Sequence, residues 1–307
     1  MLDVRGRRDL VRARALVNAT GPWLGRFDDA VLKENTSAHV RLDKGSHIVV
    51  RRLFDHDAGY IFQTPDRRVV FALPFERDFT MIGTTDLSFA GDPGGVAPDA
   101  GEIDYLCAAA NGYFRTQIAP ADVVRAFAGV RALYDDGSKK AQDTTRDYVL
   151  TLDERAAPLL TVYGGKITTY RRLAEHALDK LAHVVKAGPA WTGNSYLPGG
   201  DFPYDGIEAL VARTKSAWPF LAEDHARRLV AAYGTRVERV LGSAQRRDDL
   251  GPWFGADLTA AEVRYLMDQE WAQTADDVLW RRSKLGLRFL REERETLARF
   301  MAGTAGN

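Results

Sequence analysis

Cysteine is the scarcest reactive residue of this sequence, with Cys107 alone in 307 positions. That excludes an internal disulfide framework and a metal site built from cysteines. Set among Tyr105, Leu106 and Ala108, Cys107 reads as a small buried residue rather than a nucleophile. Charge of one sign is lacking too. Lys plus Arg number 42 and Asp plus Glu number 42, so no global field draws nucleic acid to the chain. No apolar run approaches the ~18 residues of a membrane span, and no segment reads as a signal peptide, which makes the cytoplasm the expected location. Repeats and low-complexity tracts are missing. What is present is 45% hydrophobic and 27% charged, enough apolar material for a real core, at a length that suggests about two domains.

One stretch organises the rest. Leu159 to Val162 is a short apolar run that reads as a buried strand, followed by Gly164-Gly165-Lys166 and then Ile167-Thr168-Thr169-Tyr170. Tyr170, Leu173, Ala174, Ala177, Leu178 and Leu181 recur at helical spacing as a buried face, with Thr168 or Thr169 as N-cap and Gly188-Pro189 as the stop. Glycines let backbone approach a ligand closely. The first turn of a helix offers unpaired N–H groups and partial positive charge, to which Lys166 adds a full one. Together they suit an anion, or a group that becomes anionic during reaction. A tight strand-to-helix turn with a solvated lysine satisfies the same letters.

The other elements read in order. Arg12 to Asn18 alternates and then turns apolar, as a strand does, and ends in Asn18-Ala19-Thr20-Gly21-Pro22-Trp23, where Gly-Pro forces a change of direction. Such a turn admits a ligand in an α/β sheet, or is a plain loop. His39 to Val50 reads as a strand broken at Gly45. Tyr60–Gln63 and Arg68–Pro74 flank the turn Thr64-Pro65-Asp66-Arg67, and Thr80–Asp86 comes next, all as an antiparallel sheet. Helices are expected over Asp99–Phe114 and Ala121–Ala128, and strands over Gly129–Tyr134 and Thr145–Leu152, with a polar segment Asp135–Thr144 between. The Gly- and Pro-rich stretch from Pro189 to Pro203 is the best domain boundary. Beyond it helices are expected at Ala226–Tyr233, from the capping box Thr259-Ala260-Ala261-Glu262, from Thr274-Ala275-Asp276-Asp277, and over Glu292–Met301.

Four polar residues stand at strand ends or turns: His47, Arg131, Arg146 and Lys166. His47, in an apolar strand, is either a proton acceptor or a hydrogen-bonded core histidine. Arg131 and Arg146 lie in strand-like contexts where an unpaired charge is costly. A bound phosphate or carboxylate would satisfy them, and so would an internal pair, for instance with Asp147. Arg281-Arg282-Ser283-Lys284 with Arg288 and Arg291, interleaved with leucines, is either a surface for anionic lipid or a solvated helix face.

Taken together, Asn18–Trp23, Lys44–Val50, Ile82-Gly83-Thr84-Thr85-Asp86, Gly129-Val130-Arg131, Thr145–Tyr148 and Gly164–Arg171 resemble, in order, the FAD-dependent glycerol-3-phosphate dehydrogenase family. The tail with Glu270-Trp271-Ala272 and Asp276–Arg282 is similar to its carboxyl-terminal domain. The resemblance implies an α+β fold of the D-amino-acid-oxidase-like type. Residues 1–38 and 129–188 would form a remnant of the FAD-binding α/β domain and 39–128 an antiparallel substrate-binding sheet. Residues 189–204 would be a linker and 205–307 an all-α carboxyl-terminal domain. It implies oxidation of sn-glycerol 3-phosphate to dihydroxyacetone phosphate, with electrons passing through FAD to quinone, peripheral contact with the inner face of the cell membrane, and a homodimer as a further partner state.

Within that resemblance His47 would take the hydroxyl proton, and Arg131 and Arg146 would bind the phosphate or orient hydroxyls. Lys166, with Gly164, Gly165, Ile167, Thr168 and Thr169, would face the flavin, and Thr20, Gly21 and Trp23 would contact it from the other side. The family's Gly-x-Gly-x-x-Gly unit is absent from the sequence, so the chain reads as the carboxyl-terminal portion of such an enzyme, expected not to hold FAD tightly by itself. Ala132 stands where the family more often has proline. A catalytically incompetent structural or interaction module is the alternative reading, as is a related FAD enzyme acting on another 2-hydroxy or amino acid.

Overall fold

The computed structural model describes residues 10–27, 40–135 and 147–304. Arg146, Thr145, the strand start at His39 and nearly all of the polar segment Asp135–Thr144 therefore lie outside the described residues. The chain divides into two compact units, 1–193 and 194–307, each with its own core. The division falls within residues 189–204.

The first unit holds a six-stranded antiparallel sheet of β2 (Val40–Arg51), β3 (Tyr60–Gln63), β4 (Val69–Phe75), β5 (Phe79–Gly83), β6 (Leu87–Ser88) and β7 (Arg125–Tyr134). Before it come β1 (Leu16–Asn18) and the single turn α1 (Leu24–Phe27). The hairpin around Thr64–Arg67 forms as expected, with Gln63 opposite Val69. Two expectations fail. β2 does not break at Gly45, which pairs with Gly129 of β7 in a continuous ladder. Nor is Ala121–Ala128 a helix. After one tight turn at Pro120–Asp122 the chain enters β7 at Arg125, because ten residue pairs with β2 outweigh the local helical preference of an alanine-rich segment. The expected boundary between residues 128 and 129 thus falls inside a strand.

One face of this sheet carries Ile48, Val50, Phe62, Val70, Ala72 and Ile82. It packs on Leu106, Cys107 and Ala110 of α2 (Ala100–Asn111). Cys107 is a buried small residue, as expected, and burial raises its thiol pKa. The opposite face shows the row Phe71, Gly83, His47, Phe127, in register across β4, β5, β2 and β7, with Phe71 and Phe127 exposed.

A second sheet places β9 (Leu159–Gly164) between β8 (Tyr148–Asp153), antiparallel, and β1, parallel. α3 (Tyr170–Lys180) comes after it and ends well before Gly188-Pro189. Of its expected apolar face only the flanking Leu181 is buried, while Tyr170 is 51% and Leu178 46% exposed. Neither threonine caps it through a side chain; Thr169 Oγ1 donates to Lys166 O at 2.9 Å.

The second unit is helical apart from a small hairpin, β10 (Trp253–Gly255) with β11 (Leu258–Thr259). Its helices are α4 (Ile207–Ala217), α5 (Glu223–Tyr233), α6 (Val237–Leu241), α7 (Ala260–Glu270) and α8 (Arg291–Thr304). Thr259 Oγ1 accepts Glu262 N at 3.3 Å, the expected start of α7. Thr274 and Asp277 cap one another, but the segment they open, Asp277–Arg282, is π-helical rather than α-helical. Glu262, 0% exposed, is gripped by both Arg228 Nη atoms at 2.8 Å and by Tyr233 OH at 2.8 Å. Among the described residues no helix is long and apolar enough to cross a membrane.

Candidate active-site cleft

A cleft of about 570 Å³ in the first unit is lined by Gly21, Pro22, Asp43, Asp86, Val130 to Leu133, and Gly164 to Ile167. Three elements build it: the turn after β1, the β2–β7 ladder, and the turn from β9 toward α3. The glycines are there for reasons of backbone. Gly164 and Gly165 have φ of +66° and +92°, and an added Cβ would stand 3.0 Å from Asp147 O and 3.2 Å from Tyr148 Cβ respectively. An added Cβ on Gly21, at φ +57°, would meet nothing within 4 Å.

Of the sequence-derived candidates, Arg131, Gly21, Gly164, Gly165, Lys166 and Ile167 line this cleft. Thr20, Trp23, Thr168 and Thr169 adjoin it in sequence without lining it. Thr20 Oγ1 turns back to Asn18 Oδ1 at 2.7 Å. Asp43 and Asp86 were not singled out from the sequence. Arg131 finds its ion-pair partner in Asp86, Nη1 to Oδ1 3.4 Å, and not in the suggested Asp147. That pairing depends on how strands far apart in sequence align, which local spacing does not reveal.

His47 lies outside the cleft lining but on the same sheet face as Arg131, which is opposite Asp43 while His47 is opposite Phe127. Its ring stacks on Phe127, centroids 5.1 Å apart and 5° from parallel. Its other flank is Gly83, where a Cβ would stand 2.1 Å from His47 Cδ2. Nδ1 is buried and, among the described residues, finds no hydrogen-bond partner, unlike a satisfied core histidine. Burial, and then the Arg131 charge, hold the imidazole pKa below its usual value, so the ring is neutral at pH 7.

Three cations of the basic run in the second unit have carboxylate partners. Arg281 pairs with Asp277 at 3.0 Å, Arg282 with Glu270 at 3.4 Å and Arg291 with Glu295 at 3.1 Å. Among the described residues no cluster of His, Cys, Asp and Glu could hold a metal ion.

Residues 2–171 match the family described as FAD dependent oxidoreductase. The chain belongs to that family. Residues 190–305 match the C-terminal domain of alpha-glycerophosphate oxidase. Curated relatives of the chain include glycerol-3-phosphate dehydrogenase of Pseudomonas aeruginosa, 48% identical over 280 residues, covering 90% of this chain and 54% of the relative. The aerobic glycerol-3-phosphate dehydrogenase of Escherichia coli is 46% identical over 285 residues, covering 92% and 57%. D-erythritol 1-phosphate dehydrogenase of Brucella abortus is 42% identical over 291 residues, covering 94% and 58%. Among solved structures, glycerol-3-phosphate dehydrogenase from Bacillus halodurans complexed with FAD superposes with a TM-score of 0.79 at 27% identity, over 96% of this chain and 58% of that one. The chain spans just over half the length of the curated relatives named here.

Proposed function

We propose that this chain forms the substrate-facing part of an FAD-dependent glycerol-3-phosphate dehydrogenase, oxidising sn-glycerol 3-phosphate to dihydroxyacetone phosphate, with a quinone as final electron acceptor. The observation that carries the reading is the meeting of Arg131 and Lys166 in one cleft, with a neutral, unpartnered histidine on the adjoining sheet face. The relatives' names supply the substrate.

The residues present fit FAD. Three positive-φ glycines, Gly21, Gly164 and Gly165, line the cleft from two sides with no side chain of their own, and Lys166 brings a cation to its wall. Gly21, Pro22, Gly164, Gly165, Lys166 and Ile167 would hold the cofactor. When bound, FAD supplies the hydride acceptor for the carbinol carbon. His47 accepts the hydroxyl proton at Nε2, the ring nitrogen left over once Nδ1 is buried. Arg131 grips the phosphate, a task suited to its planar fork, with Arg146 assigned the same role by resemblance. Lys166 favours the build-up of negative charge beside it.

The test is complementation. This chain, mixed with a polypeptide carrying the Gly-x-Gly-x-x-Gly unit of a relative, is expected to form a yellow complex bleached by sn-glycerol 3-phosphate under anaerobic conditions. Arg131→Met should raise KM about tenfold or more with a smaller change in kcat. Bleaching by lactate or glycine instead would point to another substrate class.

A further inference from the structure

Arg131 has a nearer carboxylate in register than the one it uses. It stands opposite Asp43, but Asp43 is 2% exposed and pairs with Arg41 Nε at 3.3 Å. The guanidinium turns to Asp86 at 3.4 Å. Its Nη2 comes within 3.4 Å of where a Cβ on Gly45 would stand, which a larger residue there would contest. This brings the cation one sheet row from His47.

Asp86 is fixed from the far face of the sheet. Thr85 N donates to Ser46 O at 3.3 Å, and Ser46 N donates to Thr85 Oγ1 at 2.9 Å. Both hydroxyls donate to Glu102 Oε1 at 2.8 Å, and Lys44 holds Glu102 Oε2 at 2.7 Å. One carboxylate on α2, 4% exposed, therefore clamps the residue before Asp86 and the residue before His47 together. Such a fully satisfied buried network favours a single arrangement of the groups it ties.

We propose that Asp86 is a positioning residue of the cleft: carried on a segment clamped by Glu102, it holds the Arg131 guanidinium over Gly45 and beside His47. Asp86 acts through Arg131 and takes no proton from substrate. The proposal rests on Arg131 and His47 being the acting pair of the proposed site, but its readout needs neither FAD nor substrate.

The experiment is an NMR titration of the His47 ring in the full chain, its resonance identified by its loss in His47→Gln. The charge that acts on His47 is Arg131; Phe127 and Gly83 face the ring from β7 and β5 without charge. If Asp86 positions Arg131, Asp86→Asn frees the guanidinium to swing away, and the His47 protonation constant rises about threefold or more, toward that of Arg131→Gln. Asp86→Glu should restore it. Thr85→Val, which cuts the clamp without touching either charge, should move it the same way. If Asp86 were only a nearby negative charge, its removal would make His47 harder to protonate. That outcome, or no change in a variant with unaltered circular dichroism, overturns the proposal. Failure of sn-glycerol 3-phosphate to bind would instead count against the substrate assignment and leave this titration interpretable.

Discussion

A methyl group on Gly83 would occupy the space of the His47 ring, 2.1 Å from Cδ2 and 2.6 Å from Cγ. Gly83→Ala is therefore expected to drive the imidazole off Phe127 and to cost about 1–3 kcal/mol by overpacking, measured by urea denaturation together with loss of the ring's stacked chemical shift. A second histidine yields a prediction in pH. His225 is 1% exposed, and its Nε2 has no hydrogen-bond partner among the described residues. Burial first, and then Arg228 and Arg247 against the opposing Glu262 and Asp257, pushes its pKa down from 6.5 to about 4. The unfolded chain takes that proton as pH falls through 6.5 while the folded chain refuses it until about 4. Stability is thus lost from pH 6.5 downward, by about 2 kcal/mol between pH 7 and 5. Denaturation at the two pH values checks it, and His225→Phe should flatten the difference. Residues with unusual chemistry for their setting were legible in the sequence: His47, Arg131 and Lys166 in or beside strands, and the glycines of two turns. The pairing of Asp86 with Arg131 was not, because it is made across the fold and no spacing within one segment encodes it.

Elements were legible where local chemistry and burial agree. The start of α7 was readable from Thr259-x-x-Glu262, and its capping bond forms; α2 was expected from Asp99, and the Asp99 carboxylate that accepts Glu102 N there is a cap the structure adds. β7 was misread in its first half since Ala121–Ala128 carries a helical composition, and only its ladder with β2 makes it a strand. α3 shows another limit: its periodicity is real, but burial depends on the elements packed against it. Leu178→Lys, at an exposed position, is expected to change stability by less than about 0.5 kcal/mol. Leu181→Ala, at 4% exposure, should cost about 2–4 kcal/mol. Thermal unfolding of the two variants separates a covered face from an uncovered one. Between α5 and α7, Glu262→Ala strands the Arg228 charge in the interior and should cost about 3–5 kcal/mol, seen as a lower unfolding midpoint of the helical unit alone.

At the scale of the whole molecule, two compact units, each with its own core, predict two unfolding events. Residues 194–307 expressed alone should give a helical circular dichroism spectrum and one calorimetric transition, matching one of two in the full chain; a single transition for the full chain, with an unfolded fragment, would contradict this. The first unit is knit differently. Its parallel pair, Leu16–Asn18 on Leu159–Thr161, joins segments from opposite ends of that unit through only three residue pairs. Closing so long a loop carries a large entropic cost before any of those pairs contributes. This small sheet should be the last part of the unit to assemble and the first to open, with amide protons at Val17 exchanging with solvent long before those at Ile48 to Val50.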